Sequence, residues 1–471
     1  MANPLWHGES SRKINKRIIV EGDLILETPA HFGSGDEMGS LVPLIVDERA
    51  NQPLLTGASI AGALRSYLWT RQHGYGKEQN SEQNPDDMVA LLFGGARQDD
   101  KGGQSHLIVD DAYGENAKVE LRDGVKIDPK SRTAAEKKLY TFMVWSAGAR
   151  FPLRFELLLT EGSTEGSDEV KLRQALAVAL SGLENGEITL GARKRRGYGR
   201  VKIDSWRVRE FDLTKPDGLI AWIREGNASL SRQYAVPDLA KALNVSAQFE
   251  DRRERFTLRA QFTLDSSLLI RAGSDVADMG HLHSNGRPVL SGTSLAGAIR
   301  ARALKIAKTL KVADADTLID EMFGVFGDQD ATNRTSSRVS VEEHLISDGE
   351  AERWVQSRVS IDRFTGGALD TALFDQQPQF GGRVEVQLEL RSPKDKEIGL
   401  LLLVLKDLWT GDLPLGGESS VGRGRLRGDT AELAHNGKVW KLTSTAGGLA
   451  IEGRSEELEG YVQALRERVQ A

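Results

Sequence analysis

Apolar and polar residues alternate with a period of two in several short stretches, the pattern of half-buried strands. Between Arg17 and Glu27 the apolar positions are Ile18, Val20, Leu24 and Leu26, interrupted at Gly22. A second extended piece runs from Leu41 to Val46, and His106–Asp110 and Val119–Ile127 read as further strands. Phe151, Leu153, Phe155 and Leu157 mark the next, followed by Val201–Val208. Between them the period lengthens to that of a helix. Ile60, Leu64 and Leu68 form one stripe, and Val170–Leu183 reads as a second helix. Gly74–Asp87 is polar and turn-rich, and Lys130–Lys138 is charged; both read as exposed segments. Residues 210–254 are mixed in character and read as a connector.

The same order then returns. Phe256, Leu258, Ala260, Phe262 and Leu264 alternate as a strand, Leu295, Ile299 and Ala303 form a helical stripe, Val384–Leu390 alternates, and Ile398–Leu408 is helical. The most telling repeat is Gly57-Ala58-Ser59-Ile60-Ala61-Gly62-Ala63-Leu64-Arg65 against Gly292-Thr293-Ser294-Leu295-Ala296-Gly297-Ala298-Ile299-Arg300, with six of nine positions identical. Each copy reads as a turn glycine, a serine N-cap (Ser59, Ser294) and an amphipathic helix whose N-terminus could hold a phosphate. Gly124–Asp128 pairs with Arg358–Asp362, and Leu190–Arg200 pairs with Leu415–Arg425. These three pairs lie 235, 234 and 225 residues apart (57 to 292, 124 to 358, 190 to 415). Offsets this even mark a tandem duplication of a unit of roughly 200 residues. The expected organisation is a first domain over 1–210, a connector over 211–254 and a second domain over 255–471. Each unit reads β, helix, several β, helix, β. The expected fold class is therefore α+β, two tandem ferredoxin-like (RRM-like) domains with insertions between their middle strands.

Composition narrows the function classes. The 471 residues include no cysteine, which excludes disulfides, thiolate zinc sites and cysteine nucleophiles and fits a cytoplasmic protein. No apolar run approaches a membrane span and the start lacks a signal-peptide pattern, so no membrane partner is expected. With 62 Lys and Arg against 68 Asp and Glu the formal charge is −6, which leaves room only for local basic surfaces.

Three stretches carry candidate chemistry. Gly33-Ser34-Gly35…Gly39 follows a strand, but its spacing and the extended segment after it argue against a dinucleotide loop. The late loops combine glycine with arginine. Arg193, Lys194, Arg195, Arg196 and Arg200 in the first, and Arg423 and Arg425 in the second, could supply charge to phosphates while glycine lets the backbone approach. Asp275, Asp278, His281 and His283 crowd the loop after the second unit's first strand. A carboxylate there could hold Mg²⁺ or act on a ribose hydroxyl, and the histidines could act as acid or base. Met38-Gly39 matches Met279-Gly280, which sets Asp36 and Glu37 in the equivalent loop of the first unit, Glu37 opposite Asp278.

A glycine loop after the first strand, the G-x-S-[IL]-x-G-x-[IL]-R motif and a late G-x-G-R loop together resemble the RAMP superfamily, the RNA-binding subunits of CRISPR effector complexes. The likeness is closest to the backbone subunits of type III complexes, of the Csm and Cmr kinds, fused in tandem as in the type III-D variant. The resemblance implies RRM-like cores aligned along a guide RNA, with "thumb" hairpins drawn from 112–146 and 333–375. It implies a sequence-independent grip, for which Ser59, Arg65, Ser294 and Arg300 of the helix motif join the late-loop cations as RNA-binding candidates. It also implies cleavage of the paired target RNA by attack of the ribose 2′-hydroxyl on the adjacent phosphate. A divalent metal, Mg²⁺ or another, assists, and Asp278 is the catalytic and metal-binding residue in the second unit. The first unit has Leu41 and Val42 where the family places its aspartate before a proline. Asp36 and Glu37 remain as substitutes, or that unit only binds. Implied partners are a guide RNA, a target RNA and other type III subunits, including other RAMP subunits and the large signature subunit. A non-catalytic backbone subunit and a guide-processing ribonuclease of the same superfamily are the alternatives.

Overall fold

The computed structural model describes residues 13–33, 43–77, 87–95, 103–127, 134–164, 168–246, 248–325, 335–349 and 354–466. In the first half the principal elements are β1 (Ile14–Leu26), α1 (Gly57–His73), β2 (Leu107–Val109), β3 (Val119–Ile127), β4 (Ala134–Trp145), β5 (Arg150–Thr160), α2 (Asp168–Glu184), β6 (Val201–Asp212) and α3 (Pro216–Glu225). The second half follows with β7 (Arg255–Leu264), α4 (Gly292–Thr309), β8 (Val339–Val341), β9 (Gln356–Ile361), β10 (Ala368–Gln377), β11 (Arg383–Arg391) and α5 (Asp395–Trp409). β12 (Leu426–His435), β13 (Lys438–Thr445), β14 (Gly448–Glu452) and α6 (Ser455–Arg466) complete it.

The first sheet runs β6-β1-β5-β2 and the second β12-β7-β11-β8, every pair antiparallel. Numbered within each unit, that order is 4-1-3-2 with a helix after the first and third strands, so both halves are ferredoxin-like. The alternating residues read from sequence are the ones that face inward. Phe151, Phe155 and Leu157 in one unit, and Phe256, Phe262 and Leu390 in the other, are fully buried beneath α1/α2 and α4/α5. The Gly22 interruption has a packing cause. β1 bulges between Gly22 and Leu24 against β6, and a Cβ at Gly22 would lie 2.5 Å from the Trp206 ring.

Two expectations change. Residues 130–133 lie outside the described residues, and the rest of Lys130–Lys138 is strand, because β4 begins at Ala134 and pairs with β3 along a hairpin. Cross-strand pairing overrides a charged composition where one face stays in water. Most of 211–254 packs on the first unit rather than bridging open space. Phe211 meets Trp222 of α3 at 5.4 Å, and Leu239 and Leu243 are buried in the first core.

Candidate nucleic-acid interface

The duplicated helix motif is built differently from its sequence signature. Thr56, not Ser59, is the N-cap of α1, its side chain accepting from the Ser59 N–H at 3.3 Å. Ser291 takes that place in α4, so Ser294 is not a cap either. Gly57 and Gly292 are helical residues, not turn residues. A Cβ on Gly57 would strike the Val109 carbonyl at the end of β2, and one on Gly292 would lie 2.5 Å from the Arg196 carbonyl of the first unit. Arg65 and Arg300 share a structural duty. Arg65 donates to the Gly95 carbonyl at 3.5 Å, and Arg300 to the Gly324 carbonyl at 2.8 Å and to Asp320 at 2.6 Å. Each arginine thus staples the end of the following short helix, Met88–Phe93 or Ala315–Phe323. The middle glycines have no such neighbour. Gly62 and Gly297 lie exposed, and a Cβ on either would meet nothing within 4 Å, although a mid-helix glycine costs about 1 kcal/mol relative to alanine.

The late loops repeat one backbone. Gly191, Arg193, Gly197 and Gly199 have φ of 86, 59, 83 and 74°, and Gly416, Glu418, Gly422 and Gly424 have 73, 62, 91 and 79°. Their outer glycines are required inside the unit. A Cβ on Gly191 would meet the His31 carbonyl at 2.5 Å, and one on Gly416 the Leu269 carbonyl at 2.5 Å. Several of the cations expected to meet RNA are already engaged. Arg423 is 2% exposed, donates to Gln356 and Gln376 at 2.8 and 3.0 Å and ion-pairs with Glu418 at 3.0 Å, so it is a structural residue and not a phosphate ligand. Arg200 pairs with Glu27 of its own unit and Glu342 of the other. Arg193 stacks on Phe142 at 4.0 Å and donates to the Tyr140 hydroxyl at 2.8 Å. Burial beside Arg391 lowers the Arg195 guanidinium to about 10, and burial lowers Arg196 as well. Lys194 and Arg425 are exposed.

The first loop belongs instead to a junction between the units. The Tyr198 hydroxyl hydrogen-bonds Thr293 of the α4 motif, and burial raises its pKa. Gly197 packs on the Glu342–Glu343 backbone. Arg122 of β3, 1% exposed, bonds Glu120 and Glu343 at 3.2 Å each, and the Asn285 N–H donates to Glu120 at 2.7 Å.

In the second unit, Asp278 is exposed and its Oδ2 accepts from the Asp375 N–H of β10 at 2.8 Å. The Oδ1 of Asp375 is buried with no partner. His281 is removed from the chemistry. It is buried, accepts from the Ile270 N–H at 3.3 Å and lies 3.1 Å from the Val289 carbonyl, and burial lowers its pKa to about 4. His283 donates to the His281 carbonyl at 2.6 Å, and Asp275 is exposed. Asp36 and Glu37 lie outside the described residues. Among the described residues no three His, Asp or Glu side chains gather as a metal site.

Hairpins β3–β4 and β9–β10 stand off the sheets, and each is rooted on its own late loop. In the first, Phe142, Val144 and Tyr198 form a buried cluster; in the second, Arg358 and Gln376 bond Glu418 and Arg423. Both carry exposed apolar side chains, Val119 and Leu121 at the root and Val125 and Ile127 beyond it on one, and Val359, Leu373 and the 98%-exposed Phe364 on the other. Aromatic and apolar groups held in water on a hairpin suit stacking with bases.

A model of the RAMP superfamily matches residues 23–202 and 261–427, one stretch in each ferredoxin-like domain. The chain belongs to the RAMP superfamily. No curated protein sequence matches it. RAMP membership carries CRISPR-associated RNA binding, and it comes twice in this chain. Among the described residues no helix is long and apolar enough to cross a membrane. The sequence missed Tyr140, Tyr198 and Asp375, whose roles depend on neighbours far along the chain. It did contain one unused signal, the acidic pairs Asp110-Asp111 and Glu342-Glu343 that end the second strand of each RAMP unit.

Proposed function

We propose that this RAMP protein is a tandem backbone subunit of a type III CRISPR ribonucleoprotein, of the Csm/Cmr kind, that holds a guide–target duplex and cuts the target at Asp278. Other RAMP subunits and the large signature subunit complete the assembly. The observation that carries this is the place of Asp278. It is exposed at the root of a projecting hairpin, with one carboxylate oxygen held by the Asp375 N–H and the other left open. A hairpin that displaces one target nucleotide would bring its 2′-hydroxyl in line with the adjacent phosphate beside that carboxylate. Alignment of this kind is worth several orders of magnitude in rate. The open oxygen of Asp278 is suited to accept the hydroxyl proton. Asp278 and Asp375 also match the one or two carboxylates that Mg²⁺ takes when RNA oxygens and water supply its other ligands. Such an ion would neutralise developing charge on the phosphate. The open faces of α1 and α4 at Ser59, Gly62 and Gly297, with the half-buried Ser294 and with Lys194, are the grip on the guide backbone, since a glycine without a neighbour lets a sugar-phosphate chain lie against the helix.

The test is reconstitution with guide RNA, using Asp278→Ala and Asp278→Asn. One set of regularly spaced target cuts should fall by about 10²–10⁴-fold while guide retention and thermal stability stay unchanged. If every cut survives at the original rate, Asp278 is not catalytic. If the cuts vanish together with guide retention, its role is structural.

A further inference from the structure

The two units finish their sheets differently. Beyond β6 the first sheet ends in the two-residue strand Ala235–Val236, and so short an edge offers little to another chain. Beyond β12 the second sheet adds β13 and β14, which lie outside the stretch matched by the RAMP model. β14 is the outer strand. Among the described residues it pairs only with β13, and all five of its residues are exposed. Its one charge is Glu452, and it carries neither the lysine nor the proline that blunts a free edge.

The register fixes which backbone groups are open. β13 and β14 are joined by a two-residue turn, with Thr445 opposite Gly448 and Thr443 opposite Ala450. A two-residue turn is closed by a hydrogen-bonded pair, and bonded and non-bonded positions alternate from it. Gly448, Ala450 and Glu452 therefore bond to β13, while the N–H and C=O of Leu449 and Ile451 point outward. The same two residues carry the apolar side chains. They lie across from Ser444 and Leu442, on the helix-bearing face, but the helices stop short of them. Trp440 and Leu442 of β13 are buried, and Trp409 at the end of α5 donates to Ser444 at 3.0 Å, yet Leu449 and Ile451 are 50 and 38% exposed.

We infer that β14 pairs antiparallel with β14 of a second copy, about a twofold axis at Ala450. In that register Leu449 of each copy faces Ile451 of the other, and each such pair exchanges both backbone hydrogen bonds. The strand is complementary to itself. Outward backbone groups meet outward backbone groups, Leu meets Ile, and Glu452 faces Gly448 rather than a second carboxylate. An axis at Leu449 would set Ile451 against Gly447 of the turn, and one at Ile451 would set Leu449 against Gly453, past the strand end. The contact is isologous, so it closes at two copies and joins their second-unit sheets into one. Strands of this length make a small interface, of the transient and concentration-dependent class.

The chain has no cysteine, so the axis can be tested on the full protein without RNA, which separates this inference from the cleavage proposal. Ala450→Cys sets two thiols across a non-hydrogen-bonded pair, with Cα atoms about 4.5 Å apart and within disulfide reach. Oxidation should give a linked species of twice the chain mass and nothing larger. Thr443→Cys, exposed on the same face one strand inward, should not cross-link. Equal yields from the two variants overturn the inference. In sedimentation the parent chain should associate with rising concentration and stop at the dimer. Leu449→Lys together with Ile451→Lys should abolish that association, because lysine then faces lysine across the axis. Mixing this chain with one carrying Leu449→Glu and Ile451→Glu should restore it. A parent chain that stays monomeric, association that survives the lysine pair, or opposite-charge chains that fail to associate each overturn it.

Discussion

Arg122 and Glu343 form one buried ion pair across the junction, and replacing its two members should have opposite effects. Both are almost fully buried, and Arg122 also bonds Glu120. With both glutamates ionised the cluster would carry a net negative charge out of water. Burial pushes Glu343 up to about 7, with Arg122 opposing the shift and Glu120 adding to it. The folded pKa lies above the ordinary 4.5, so folding favours the protonated acid. That contribution is complete below pH ~4.5 and is lost as the pH rises through about 7, a span worth about 3 kcal/mol at about 1.4 kcal/mol per pKa unit. Glu343→Gln fixes the neutral form with the same shape. It should therefore stabilise the protein by up to about 3 kcal/mol near pH 8, and remove this part of the stability slope between about pH 4.5 and 7. Arg122→Met strands the buried Glu343 carboxylate, while Glu120 keeps the Asn285 N–H and the Ser284 hydroxyl, and should cost about 3–5 kcal/mol near pH 8. Urea unfolding followed by tryptophan fluorescence across that pH range reads both. A Glu343→Gln protein that is destabilised like Arg122→Met, or that keeps the parent's pH slope, refutes the reasoning.

The glycines of the helix motif should separate by position. Gly292→Ala drives a methyl onto the Arg196 carbonyl and should cost about 1–3 kcal/mol in thermal unfolding, whereas Gly297→Ala meets nothing and should gain about 1 kcal/mol. Gly62→Gln, at the same open place in α1, should leave folding intact and weaken guide retention in a filter-binding assay. Arg423→Met should destabilise the second unit by about 3–5 kcal/mol without changing the salt dependence of RNA binding, because its charge never reaches solvent. Lys194→Ala should leave stability unchanged and lower the slope of log affinity against log salt by roughly one.

The local code of this chain was legible. Alternation at Phe151–Leu157 and Phe256–Leu264, the helical stripes at Ile60 and Leu295, and the even offsets between paired motifs together determined two ferredoxin-like units, because each rests on periodicities of a few residues repeated at one spacing. The functional meaning of individual arginines and glycines was not local. Gly57 and Gly292 looked like turn residues but open helices, and they are glycine because the Val109 and Arg196 carbonyls lie where a Cβ would be. Arg423 and Arg425 are two residues apart in one basic motif, yet one is sealed under Gln356 and Gln376 while the other stands in water. Arg200 was a plausible phosphate ligand until Glu342, from the other unit, came within reach. Composition states how much charge a loop carries, and sequence spacing states which face it shares. Only the approach of distant backbone decides whether that charge meets a carboxylate of the same chain or remains free for RNA.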